Sequence, residues 1–189
     1  PEYVTAHFGK WHIGRTPEKL GFEINDGNNG NLRSSPDTEN DPKYTFSLTK
    51  KAIGFLEKQK KANKPFLLQV SYYADHRWYE AKTETIRKYT HTIHTNKKTI
   101  YQNNPVWAAM NEDLDTGIGI LLKRLEELGL KENTYVIFTS DNGYEAKFDS
   151  GKPVKERGYY KAHPLRSHKY LLNEGGLRDR KSTRLNSSH

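Results

Sequence analysis

Apolar side chains recur at steps of three and four across residues 107–128: Trp107, Met110, Leu114, Ile118, Leu121, Leu125 and Leu128. That spacing predicts an amphipathic α-helix over 106–128. Glu112, Asp113 and Asp115 occupy its first half, Lys123 and Arg124 its second, as the helix dipole favours. Gly117 and Gly119 each cost about 1 kcal/mol relative to alanine, and are read as room for close packing on a sheet. Gly129 is suited to cap the C-terminus. A second helix is predicted over 45–63. Leu48, Ala52, Phe55 and Leu56 form its core side, and Lys50, Lys51, Glu57, Lys58, Lys60 and Lys61 its water side. Pro65 ends it.

Three short runs of β-branched and aromatic residues predict strands at 3–8, 66–72 and 134–140. The last two read as near-continuous apolar stretches, the pattern of strands covered on both faces. Helix followed by strand, twice, predicts an α/β fold: a mostly parallel central sheet flanked by the two helices. Residues 21–45 are rich in Gly, Asn, Asp, Ser and Pro and read as a long loop, the kind that lines a site. Residues 77–104 are polar and show no period, so they read as surface. His91 and His94 there are three apart, either a metal pair on a helix or, with no third candidate ligand nearby, solvent-facing side chains.

The chain has 189 residues, enough to bury a core. Its 33% hydrophobic content and mean hydropathy of −0.97 are low, as expected of a partial domain or one with long polar loops. The formal net charge is +8. Arg178, Arg180, Lys181 and Arg184 against Asp179 place a net +3 of it in the last twelve residues. The rest is mildly and diffusely basic, which argues against nucleic acid. Cysteine is absent, so disulfides and thiolate metal sites are excluded. No apolar run approaches the roughly 20 residues of a membrane span.

Candidate chemistry sits where the strands end. Asp141 and Asn142 follow the third strand and offer hard oxygen donors of the type Ca²⁺ takes, or form an ordinary Asn-Gly turn. Lys10 and His12 are two apart beyond the first strand, either an anion-binding pair or a solvent-facing Lys and a hydrogen-bonded His. His76 lies beyond the second strand. Lys169 is an isolated cation ahead of an apolar pair and a double glycine.

Several short motifs then coincide in order. G-K-W-H-I-G at 9–14 resembles the G-K-W-H-L-G segment of the formylglycine-dependent sulfatases. P-F-L-L-Q-V-S-Y-Y-A-D-H at 65–76 resembles their P-F-F-L-x-x-S-x-x-x-P-H strand and histidine. Residues 109–119, 125–130 and V-I-F-T-S-D-N-G at 136–143 resemble their long helix and metal strand. L-R-S-H-K-Y-L-L-N-E-G-G-L-R at 165–178 resembles L-R-G-G-K-x-x-x-x-E-G-G-I-R. The resemblance spans residues 1–178, a partial catalytic domain of the alkaline-phosphatase-like fold, truncated at both ends. It implies hydrolysis of sulfate esters on a sulfated small molecule or glycan. It also implies Asp141 and Asn142 as two ligands of Ca²⁺, and Lys10 and His12 as the pair that holds the sulfate and the formylglycine. His76 and Lys169 would lie beside the sulfate and its bridging oxygen. A periplasmic, secreted or lysosomal setting is the family expectation.

The departures are specific. The formylglycine precursor lies in a C-x-P-S-R segment, and neither it nor the first two metal-ligand aspartates of the family is present. The chain by itself is therefore expected to be inactive. Asp75 stands where the family commonly has Pro, and residues 169–171 read K-Y-L in place of K-G-T. Residues 179–189 leave the pattern and read as a tail foreign to the domain. Two other readings stay open: a phosphonate or phosphodiester hydrolase of the same superfamily, and a non-catalytic domain that binds anionic glycans.

Overall fold

Phe66, Leu68 and Val70 alternate with Leu67 and Gln69, a period of two that lets a strand cover one face only. The computed structural model describes residues 2–27, 29–30, 34–95, 104–143 and 169. Its strands are β1 (Val4–Gly9), β2 (Ile24–Asn25) and β3 (Phe66–Ser71). They form a parallel sheet in the order β2-β1-β3, with Ala6 opposite Leu68 and Gly9 opposite Ser71. The helices are α1 (Thr45–Ala62), α2 (Thr83–Thr95) and α3 (Pro105–Glu127). This is the predicted fold class. The chain divides into two units: Pro1–Lys98 with Gln102–Lys131, and Thr99–Tyr101 with Glu132–His189.

In the first unit, in-register pairing puts Ala6, Phe8, Phe66, Leu68 and Val70 on one sheet face. The apolar stripe of α1 covers that face. Leu48, Ala52, Phe55 and Leu56 are all buried, and the Phe55 ring meets those of Phe8 and Phe66 edge-on. Asp41 holds the N-terminus of α1 through its Oδ1, which accepts Phe46 N–H (2.8 Å) and Ser47 N–H (3.0 Å). Asn63, in the left-handed region at φ 49°, ends the helix. On the opposite sheet face His7 is fully buried between the rings of Trp11 and Phe22. That cover stops at β1. Leu67 of β3 is 53% exposed, so β3 is half-covered and not the doubly buried strand expected.

Helix α3 packs chiefly on α1 and α2, not on the sheet. Its buried face is Ala109, Met110, Asp113, Gly117 and Leu125, turned by one position from the predicted stripe. The small residues decide this. A Cβ on Gly117 would stand 2.8 Å from Thr45 Cγ2, so the glycine lets α1 approach; Gly119 faces open space. Asn104 Oδ1 caps α3 by accepting Val106 and Trp107 N–H (3.0 and 3.1 Å). Gly129, at φ 65°, closes it, with Leu130 N–H on Leu125 O.

Residues 83–95, expected to be irregular, form α2. Its inward Ile86 and Tyr89 pack with Ala81 on Ala109, Met110 and Trp107. Asp113 of α3 serves as its cap, accepting Lys82 N–H and Thr85 Oγ1–H, both at 2.8 Å. Among the described residues, no helix is long and apolar enough to cross a membrane.

In the second unit, residues 134–140 carry no ladder among the described residues. Tyr135 and Ile137 are 82% and 81% exposed, Phe138 51%. The expected buried third strand is therefore not part of the described sheet, and its apolar side chains are largely exposed. A strand persists through its neighbours' hydrogen bonds, and the described sheet does not include it. Residues 170–189, with the off-pattern tail, lie outside the described residues.

Gly9 is the closest backbone approach in the sheet. At φ 100°, a Cβ there would stand 2.2 Å from Ser71 O. Gly9→Ala is expected to lower the unfolding free energy by at least ~2 kcal/mol, through a forbidden conformation and a displaced β3. Urea denaturation followed by circular dichroism measures it; an unchanged midpoint would refute the close packing.

Candidate active site

In a parallel sheet the side chains that follow the carboxyl ends of the strands share one edge, where ligands bind. At that edge Lys10 N–H donates to Ser71 O (2.8 Å). Gly9 N–H donates to Asp26 Oδ1 (3.0 Å), and Lys51 of α1 pairs with Asp26 Oδ2 (2.9 Å). One carboxylate thus ties the end of β1, the loop after β2 and α1 together. Lys10 is half-buried and His12 exposed. His76 is half-buried beyond β3. Its backbone N–H donates to Tyr73 O (2.9 Å), and Nδ1 lies 2.5 Å from Arg77 O. A carbonyl only accepts, so that contact holds a proton on Nδ1 and orients the ring.

Lys10 and His76 therefore follow adjacent strand ends in the first unit. Asp141, Asn142 and Lys169 belong to the second unit. Asp141 is exposed, and Asn142 and Lys169 are half-buried. Asn142 Nδ2 donates to Gly143 O (2.8 Å). The pair supplies two hard oxygens and so fits part of a Ca²⁺ shell. Among the described residues no group of three or more His, Cys, Asp or Glu forms a complete metal cage. His91 and His94 lie on α2.

The sequence reading missed four groups at or near this edge. His7 hid inside a strand pattern; its Nε2 contacts Ser71 Oγ at 3.0 Å. Asp26 lay in a loop of many similar polar residues. Lys43 lay unremarked in the 21–45 loop, yet the residue is 1% exposed. Tyr73 was the exit of a strand and is 3% exposed. Only the strand-end position of Tyr73 offered a signal.

The sulfatase family profile matches residues 2–179 of this chain. The chain is similar to an ulvan-active sulfatase of Formosa agariphila, 30% identical over 185 residues, covering 82% of this chain and 36% of that protein. It is also similar to the N-acetylgalactosamine-6-sulfatase of Canis lupus familiaris, 26% identical over 208 residues, covering 94% of this chain and 36% of that protein. Among solved structures, Ps i-CgsB in complex with k-i-k-neocarrahexaose superposes with a TM-score of 0.68 at 25% identity. That match covers 93% of this chain and 43% of the other. The chain thus spans little more than a third of the length of these curated relatives, 36% in each case.

Burial holds the His7 imidazole below its ordinary pKa of 6.5, opposed in part by the Asp26 carboxylate and the Lys10 backbone. The unfolded chain then binds the extra proton first. Stability is expected to be full above about pH 6.5 and to fall as pH drops toward the lowered value. Urea midpoints at pH 5.5 and 7.5 measure the loss. His7→Gln, which keeps a partner for Ser71, is expected to shrink the difference; an undiminished one would assign it elsewhere.

Proposed function

The chain belongs to the sulfatase family, and on that premise we propose that it is part of a catalytic domain that hydrolyses sulfate esters of a sulfated carbohydrate. The observation that carries this reading is the family match across residues 2–179, joined to cations at the carboxyl edge of a parallel sheet. The curated relatives are named for sulfated polysaccharide and amino-sugar substrates, which favours a glycan over a phosphonate or phosphodiester.

Cleavage breaks an S–O bond, adds water, and releases an alcohol and sulfate. A sulfate ester spreads negative charge over its oxygens, so the transition state needs fixed positive donors. Lys10 supplies one, anchored through its backbone on Ser71 O, and the exposed His12 imidazole offers a further hydrogen-bond donor. The departing alkoxide needs a proton. His76 is suited to give it from Nε2, because Arg77 O keeps Nδ1 protonated and the ring oriented. Lys169 is proposed to hold the bridging oxygen. Asp141 and Asn142 would donate two oxygens to Ca²⁺, which supplies Lewis-acid polarisation of the sulfate when bound. The nucleophile of the family, a formylglycine, has no precursor cysteine in these 189 residues. Binding without turnover is therefore the expected behaviour of the chain alone.

Calorimetric titration of the 189-residue chain with a sulfated oligosaccharide tests this. Binding is expected to vanish when the oligosaccharide is desulfated. It is expected to weaken about tenfold, about 1.4 kcal/mol, in Lys10→Ala. Equal affinity for sulfated and desulfated forms would sink the reading.

A further inference from the structure

Two polar side chains near this edge are buried with nothing to bond. Lys43 Nζ and Tyr73 Oη are both enclosed and lack a hydrogen-bond partner. Desolvating an ammonium without a partner is among the costliest arrangements a fold can hold. Proteins keep such groups where a ligand completes them, and each unsatisfied buried group calls for an explanation.

The surroundings point to an anion. Lys43 directly precedes Tyr44, and the Tyr44 and Tyr73 rings stand 5.8 Å apart, so the two segments that carry the orphaned donors meet at one ring pair. Burial first, and then the Lys10 ammonium acting through space, disfavour the Lys43 charge, against the Glu80 carboxylate. The acid that acts on the Lys43 charge is already committed. Glu80 accepts Ser35 N–H with both oxygens (3.1 Å each) and Lys43 N–H with Oε2 (3.0 Å). It acts on the Lys43 charge only through space. Burial lowers the Lys43 pKa and lifts that of Tyr73 to about 12, with Asp26 and Tyr44 adding to the latter. Tyr73 therefore stays a protonated donor. Lys43 and Tyr44 also sit in the left-handed region, at φ 53° and 56°. Two consecutive strained non-glycine residues mark a segment held for something other than stability.

We propose that the Lys43 ammonium and the Tyr73 hydroxyl form a second donor pair for a substrate oxyanion, beside Lys10 at the carboxyl edge of β1 and β3. The inference rests on the sulfate-ester reading above and adds two recognition residues to it. The ligand class is a sulfate group: the one Lys10 takes, or a second one on the same glycan.

Inorganic sulfate and a multiply sulfated oligosaccharide are titrated into the full chain and its Lys43→Met, Tyr73→Phe and Lys10→Ala variants. Lys43→Met is expected to lose about tenfold in affinity and Tyr73→Phe a few-fold. Thermal midpoints should be unchanged or raised, because an unpaired buried charge is removed. Loss with both titrants places the pair on the sulfate that Lys10 holds. Loss with the oligosaccharide alone places it on a neighbouring sulfate. If Lys10→Ala weakens binding while Lys43→Met and Tyr73→Phe bind as the parent does, the pair has no such role and the broader reading stands. If none of the three changes affinity, the broader reading falls as well. A lower midpoint with parental affinity in Lys43→Met would make Lys43 a structural counter-ion of Glu80; Tyr73→Phe then decides the hydroxyl separately.

Discussion

At the end of β1 the backbone runs so close to β3 that no side chain fits between Gly9 and Ser71. This approach governs the geometry beyond it. It sets the parallel register from Val4–Phe66 to Gly9–Ser71. It also brings Lys10 N–H onto Ser71 O, so the cation leaves the strand from a fixed point. Asp26 then fastens the same turn to α1 through Gly9 and Lys51. The chemistry at the edge is held mainly by backbone contacts.

The elements legible in the sequence were those whose pattern is local. Leu48, Ala52, Phe55 and Leu56 announce α1 by spacing alone, and all are buried. Gly129 closes α3 as the sequence pattern has it, whereas its start at Asn104-Pro105 was not read. The ordered motifs around Lys10, His76, Asp141 and Lys169 carried the family. What stayed hidden was long-range. Helix α2 looks structureless because Thr85 is one of its inward residues, bonded to Asp113, which lies 28 positions away. The same Asp113 reads in sequence as a dipole-matching surface acid, yet it is buried. Lys43 looks like any solvated lysine until the fold closes over it.

The two faces of the small sheet divide the labour. One face, with Phe8, Phe66 and the α1 stripe, is apolar and supplies cohesion. The other carries His7 under Trp11 and Phe22, and its cover comes from the segment that follows Lys10. Recognition is thus coupled to packing: Trp11, which closes over His7, lies between Lys10 and His12. A change in the aromatic cover would move both side chains.

The run Tyr135-Val136-Ile137-Phe138 has a consequence for how these molecules behave together. Four adjacent residues of high β-propensity, without charge or proline, and with Tyr135 and Ile137 largely exposed, are the ingredients of intermolecular cross-β association. Charges flank the run at Lys131, Glu132 and Asp141, where gatekeeper residues are effective against aggregation. Asp141 thus stands where a flanking charge opposes the stacking of neighbouring chains onto the segment that precedes it.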